Sequence, residues 1–241
     1  MRAAMRWRGA GRCGLAVPDL RALRDAAAAL LPDAAIAVTD PRAAQPALMD
    51  EEILRAIPAR QREFAAGRAA ARQAMRVMGL PAAAIAVGRD RAPVWPAGLA
   101  GSITHSATAC VAAIARGGLL GIDIEPDVPL DRDLWPAILL PEEQRWLATQ
   151  PDRGHRALQI FCAKEAAYKA QYPATATLFG FDTLHVIMTH DRFTATFRKP
   201  AGPIATGFCL HGRITRVSGH VFAAVHLPEH LPWNKIPQAA F

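Results

Sequence analysis

The chain has 241 residues, 51% of them apolar, which suits one large domain or two small ones and excludes an intrinsically disordered protein. Its net charge of +7 lies wholly in the first half. Met1–Gly118 carries 16 arginines and no lysine against 9 acidic residues, whereas Leu119–Phe241 balances 12 against 12. Arginine favours bidentate contacts to phosphate and carboxylate, so a polyanionic ligand on the N-terminal half is one reading and compositional bias toward Arg and Ala the other. Apolar runs such as Ala26–Leu31 are far too short to cross a bilayer, and no apolar stretch follows the basic start at Met1–Arg8, so neither a membrane segment nor a secretory leader is expected. Cys13, Cys110, Cys162 and Cys209 are widely spaced without a CxxC pair, which fits a reducing, cytoplasmic setting better than a disulfide framework. No aromatic-rich basic stripe or reader motif supports nucleic-acid binding.

Residues 1–48 are Ala- and Pro-rich and carry little recognisable chemistry. Asp50–Ile57 reads as a short helix with Asp50 as N-cap, punctuated by Pro58. A longer helix is expected from about Ala59 to Met78, closed by Gly79-Leu80-Pro81. Its Arg68, Arg72 and Arg76 share one side, as a solvated basic face would. After a loop rich in Gly and Pro, Cys110–Ala115 and Leu119–Glu125 read as strands joined by Gly117-Gly118 into a hairpin. Pro141, with Glu142 and Glu143 behind it, opens a helix to about Thr149, and a second runs from about His155 to Gln171, before Pro173. Short strands follow at Leu184–Met188, Phe193–Phe197, Gly207–Leu210, Ile214–Val217 and Val221–His226, an antiparallel meander. Helices precede strands twice, which predicts an α+β fold with two similar halves, residues 1–118 and 119–241.

Three groups of residues carry possible chemistry. Asp123 and Glu125 are two apart on a strand, so both carboxylates leave the same face while Ile122 and Ile124 turn to the core. Such a pair is either a solvated strand edge or a seat for a cation such as magnesium, which takes one or two carboxylates plus ligand phosphates. Glu165 and Lys169 stand four apart on a helix among apolar neighbours. They are a surface ion pair, or a half-buried base and a phosphate-binding ammonium. His105, in Gly-Ser-Ile-Thr-His-Ser, lies on a small-residue loop that a phosphate could approach, or is an ordinary turn. No G-x-S-x-G elbow supports a serine hydrolase.

In chain order these segments resemble the 4′-phosphopantetheinyl transferases of the Sfp/EntD type. Arg60-Gln61-Arg62-Glu63-Phe64-Ala65-Ala66-Gly67-Arg68 is similar to the family's R-x-x-E-F-x-x-G-R helix. Arg91-Ala92-Pro93-Val94-Trp95-Pro96-Ala97-Gly98, followed by Gly101–Ser106, is similar to the central loop in its EntD-like form. Gly121-Ile122-Asp123-Ile124-Glu125 matches G-I-D-I-E, and Lys164-Glu165-Ala166 with Lys169 matches W-x-x-K-E-A-x-x-K, with Phe161 in place of the Trp. The similarity covers residues 50 to about 170.

The resemblance implies a fold of two halves about a pseudo-twofold, each a small antiparallel sheet packed on helices, and a monomer. It implies transfer of phosphopantetheine from coenzyme A to a serine of an acyl or peptidyl carrier protein. Mg2+, or Mn2+, would be held by Asp123, Glu125 and Glu165, with Glu165 also as base and Lys169 on the reacting phosphate beside Lys164. Arg91, Thr104 and His105 would hold the nucleotide phosphates, and Arg60 and Arg68 the 3′-phosphate. The EntD-like loop points to siderophore-type peptide carriers, with polyketide and fatty-acid carriers as alternatives. A non-catalytic coenzyme A or carrier-binding module of the same fold is the competing expectation.

Overall fold

The computed structural model describes residues 17–50, 52 and 57–229. Its elements run α1 (Leu20–Leu30), β1 (Ala35–Thr39), α2 (Pro58–Val77), β2 (Ala86–Val87), β3 (Pro93–Val94), β4 (Leu99–His105), β5 (Cys110–Arg116) and β6 (Leu119–Pro126). They continue with α3 (Trp135–Ile138), α4 (Pro141–Ala148), α5 (Arg153–Thr175), β7 (Leu184–Met188), β8 (Arg192–Phe197), β9 (Cys209–Val217) and β10 (His220–Leu227). All pairings are antiparallel: a three-stranded sheet β1-β5-β4, a five-stranded sheet β6-β10-β9-β8-β7 and the two-stranded ribbon β2-β3. The α+β class and the meander stand. The expected short helix over Asp50–Ile57 falls largely outside the described residues.

The quiet N-terminal stretch contains two elements. Asp19 caps α1, its carboxylate accepting from the Arg21 and Ala22 amides at 3.0 Å, and Leu23, Ala27 and Leu30 then turn one face inward. That face joins Ile122, Ile124 and Phe222 in a core shared with β5, β6 and β10, so α1 bridges the two larger sheets. Helix α2 begins at Pro58 itself, the N1 position that needs no amide donor. Ala70, Ala71 and Ala74 lay it closely on β1 and β5.

The hairpin expected across Gly117-Gly118 does not form. Both glycines have positive φ, 61° and 81°, as a tight hairpin turn requires. However, β5 is the central strand of its sheet, with β1 on one edge and β4 on the other, so no edge is left for β6. The chain crosses instead to the second sheet, where β6 pairs with β10. The hairpin that does form joins β4 to β5. Side chains bridge the seam between the sheets: Ser102 Oγ accepts the Ile122 amide at 3.1 Å and Thr104 Oγ1 accepts the Ile124 amide at 3.2 Å.

Two boundaries also shift. Pro173 lies inside α5, because a missing amide in the last turn costs one bond only and the helix closes on a left-handed Ala176 whose amide reaches Tyr172 O at 2.8 Å. The two strands expected over 207–217 are one, β9, with Gly212 in its middle. A Cβ at Gly212 would come within 2.1 Å of the Phe193 ring, so the glycine marks a packing contact rather than a turn.

Candidate active site

Helix α5 lies flat on β6 because Gly121 has no side chain. A Cβ there would sit 2.0 Å from Ala166 O and 2.4 Å from Ala170 N. The residues of α5 that face the strand are therefore those in step with Ala166 and Ala170, namely Cys162, Glu165 and Lys169. Along β6 the same face carries Gly121, Asp123 and Glu125, while Ile122 and Ile124 are wholly buried on the other. The sequence expectation of a shared face is met.

Asp123 is 1% exposed. Its Oδ1 accepts from Lys169 Nζ at 2.5 Å and from Thr104 Oγ1 at 3.1 Å, while its Oδ2 is buried without a hydrogen-bond partner among the described residues. Lys169 also reaches Ile122 O at 3.1 Å and Thr104 Oγ1 at 3.2 Å. Cys162, fully buried, donates to Asp123 O at 3.4 Å. Its thiol is pushed well above the usual range, by burial first and then by the carboxylates of Asp123 and Glu125. Both carboxylates thus act on one helix position, and Glu165, one turn further along, is itself buried.

A lone buried carboxylate oxygen, on a strand face that also carries Glu125, fits a hard cation. Among the described residues no three His, Cys, Asp or Glu side chains are gathered as a ready-made metal cage. The donor set therefore fits a divalent ion whose shell is completed by phosphate oxygens of a ligand beside the carboxylates, not a site closed by the protein alone.

The opposite face of β4 carries a polar cluster of Arg60, Glu63 and His105. Arg60 Nη1 lies 2.5 Å from His105 Nε2 and 3.1 Å from Glu63 Oε2, and Glu63 Oε2 is 3.7 Å from His105 Nδ1. Since a guanidinium only donates, His105 Nε2 accepts and the ring proton sits on Nδ1, toward Glu63. Glu63 was not singled out in the sequence, although its spacing of three from Arg60 was visible. Arg91 is exposed and left-handed (φ 69°) in the turn between β2 and β3. Its neighbour Asp90 accepts from Tyr172 of α5 at 2.8 Å. That bond holds the Asp90 carboxyl below the usual range and ties the central loop to the helix.

The solvated arginine face does not hold for its first two members. Arg68 is 6% exposed, donates from Nε to Ile85 O at 2.8 Å and stacks over Phe64. Burial lowers it to about 10. Its Nη atoms have no hydrogen-bond partner among the described residues, so they remain able to meet an anion. Arg72 is spent on a buried ion pair with Glu52, whose other oxygen accepts the Ile85 amide at 3.0 Å. Arg76 is exposed.

Two residues expected at phosphates have their polar atoms engaged within the protein. Lys164 is 0% exposed on another side of α5, donating to Glu143 Oε2 at 2.7 Å, Ile138 O at 2.9 Å and Phe181 O at 3.0 Å. Its three protons are used, and it pins α5 to α3 and α4. Burial lowers its pKa against the pull of Glu143. Thr104 is at the Asp123 cluster but 1% exposed, its hydroxyl engaged on Asp123, Lys169 and the Ile124 amide. Beyond Lys169, a groove of about 420 Å³ runs between the start of β4, the Gly117-Gly118 turn and the end of α5, walled by Trp95, Gly101, Gly118, Ala170 and Pro173.

Residues 49–115 match the 4′-phosphopantetheinyl transferase N-terminal domain, and residues 119–225 the 4′-phosphopantetheinyl transferase superfamily. The chain is 40% identical over 201 residues to 4′-phosphopantetheinyl transferase Svp of Streptomyces mobaraensis, covering 77% of this chain and 81% of the relative. It is 39% identical over 137 residues to Npt of Nocardia iowensis, covering 56% of this chain and 62% of Npt. It is 41% identical over 114 residues to enterobactin synthase component D of Escherichia coli K12, covering 46% and 54%. The chain belongs to the 4′-phosphopantetheinyl transferases, an enzyme family, and the strand and helix just described lie within the superfamily match.

Proposed function

We propose that the protein transfers 4′-phosphopantetheine from coenzyme A to a serine of an acyl or peptidyl carrier protein, with Mg2+ or Mn2+, releasing adenosine 3′,5′-bisphosphate. The observation that carries this is Asp123, with Oδ1 held by Lys169 and Thr104 and Oδ2 buried and unpaired opposite the helix that bears Glu165. A non-catalytic binding module has no use for a buried carboxylate left one bond short.

Asp123, Glu125 and Glu165 would hold the ion, which supplies charge neutralisation at the pyrophosphate. Arg60 and His105, with the free edge of Arg68 and with Arg91, bind the nucleotide phosphates, which displace Glu63 as the nearest anion. Lys169, part-exposed on a flexible stem, turns from Asp123 Oδ1 to an oxygen of the reacting phosphate. Glu165, directly or through water, takes the serine proton. The serine oxygen then bonds to the β-phosphorus as the pyrophosphate P–O bond breaks, and the nucleotide bisphosphate carries away the electron pair. Thr104 and Lys164 are left out of the phosphate contacts because their polar atoms are spent inside the protein. The activity is placed in the cytoplasm, where coenzyme A is available. The likeness to enterobactin synthase component D makes siderophore-type peptidyl carriers the first candidates.

Incubation of the protein with coenzyme A, Mg2+ and apo carrier proteins of peptide, polyketide and fatty-acid type tests the reading. At least one carrier gains the mass of phosphopantetheine. No gain on any of them would overturn it.

A further inference from the structure

We propose that Thr104 is a positioning residue that aims the Asp123 carboxylate at the divalent ion, and not a ligand contact. This rests on the transferase reading. A hydroxyl has one proton and two lone pairs. Around Thr104 Oγ1 stand the Ile124 amide at 3.2 Å, the Lys169 ammonium at 3.2 Å and Asp123 Oδ1 at 3.1 Å. The first two only donate, so they take both lone pairs, and the single proton goes to Asp123. Nothing remains for a phosphate, and at 1% exposure none could reach it.

The backbone amide of Ile124 therefore fixes the direction of the hydroxyl, the hydroxyl fixes Oδ1, and the plane of the carboxylate leaves Oδ2 buried and open. Threonine suits this because its β-branched side chain is restricted at χ1. Lys169 cannot do it alone. When its ammonium turns to a phosphate, Thr104 is the neutral donor that stays on Oδ1 and keeps the carboxylate from swinging, without repelling a cation. Ser102 makes the companion seam bond to the Ile122 amide at 3.1 Å and, two residues earlier on β4, does not share the Asp123 carboxylate, so it serves as the control for a purely structural role.

The test compares Thr104→Val, Thr104→Ser and Ser102→Ala. Binding of Mn2+ to the coenzyme A-loaded protein is followed by electron paramagnetic resonance, and binding of coenzyme A in EDTA by calorimetry. Thr104→Val is expected to weaken Mn2+ by about tenfold or more, the scale on which residues orienting a metal ligand act. Thr104→Ser is expected to restore it, with coenzyme A binding in EDTA unchanged in both. Ser102→Ala is expected to lower the melting temperature with Mn2+ affinity kept. If Thr104→Val does not fold, Thr104→Cys, a poor donor of similar size, replaces it with the same expected direction. Weakened coenzyme A with unchanged Mn2+ would make Thr104 a ligand contact and overturn the proposal. An equal Mn2+ loss in Ser102→Ala would reduce it to seam packing. Absence of transfer by the wild-type protein would instead overturn the functional reading, while the Mn2+ comparison would still decide the role of Thr104.

Discussion

Asp123→Asn keeps the size of the side chain and an acceptor for Thr104 and Lys169 but removes the charge that a cation needs. Transfer to a carrier protein should fall at least about a hundredfold, the scale of losing one group that stabilises developing charge. The far-ultraviolet spectrum should be unchanged. Undiminished turnover would remove Asp123 from the metal site. Lys164 gives the opposite pattern. Lys164→Met leaves Glu143, 2% exposed, with a buried charge and no cationic partner, a break that costs about 3–5 kcal/mol. Chemical denaturation should show that loss, while the surviving folded enzyme keeps its Michaelis constant for coenzyme A. A raised Michaelis constant with intact stability would return Lys164 to the phosphates.

At the scale of elements, Gly121 decides whether α5 can lie on β6. Gly121→Ala places a methyl group against backbone on two sides, Ala166 O and Ala170 N. The helix must lift, so stability should drop by about 2–3 kcal/mol in urea unfolding, and transfer should drop with it because Glu165 and Lys169 travel with the helix. A second element contact is set by His220. Its Nε2 meets Ser106 Oγ at 3.0 Å and Thr108 Oγ1 at 3.1 Å, latching β10 to the β4–β5 turn. Burial above all holds this imidazole below an ordinary histidine's 6.5. The unfolded chain therefore binds the proton more readily. The latch contributes fully above pH about 6.5 and is lost as pH falls through that value toward the lower folded one. The unfolding midpoint should decline over this window, and the decline should be shallower in His220→Gln; identical slopes would discard the latch. How much of this was legible follows from range. The faces of β6 and α5 follow from periods of two and 3.6, so spacing paired Asp123 with Glu125 and Glu165 with Lys169, while only the resemblance joined the two pairs in one site. Helix α1 was legible too, in Asp19 and the inward Leu23, Ala27 and Leu30, but hidden in an Ala-rich stretch. The Gly117-Gly118 turn misled because its local geometry suits a hairpin while strand pairing depends on which edges are free. The partners of Arg72, Lys164 and His220 lie 20, 21 and more than 100 residues away, and no local pattern reports them.

At the scale of the whole molecule, the two long helices bring different chemistry to the seam between two sheets. Helix α2 presents Arg60 toward His105 on one face of β4, and α5 presents Glu165 and Lys169 to β6 across the Ser102 and Thr104 bridges. On the proposed reading, an anion bound by the first set and a cation bound by the second would feel each other through a shared pyrophosphate. With no ready-made cage among the described residues, Mg2+ alone should bind weakly, because Asp123 and its neighbours offer too few oxygens without the ligand's phosphates. Linkage then requires that coenzyme A tighten Mg2+ by the same factor as Mg2+ tightens coenzyme A. Calorimetric titration of each ligand, with the other absent and then saturating, should give two equal factors of about tenfold or more, within the usual 5–150-fold range of such couplings. In Asp123→Asn both factors should shrink toward one. Tight Mg2+ binding to the protein without coenzyme A, unaffected by its addition, would mean that the carboxylates form a complete site on their own.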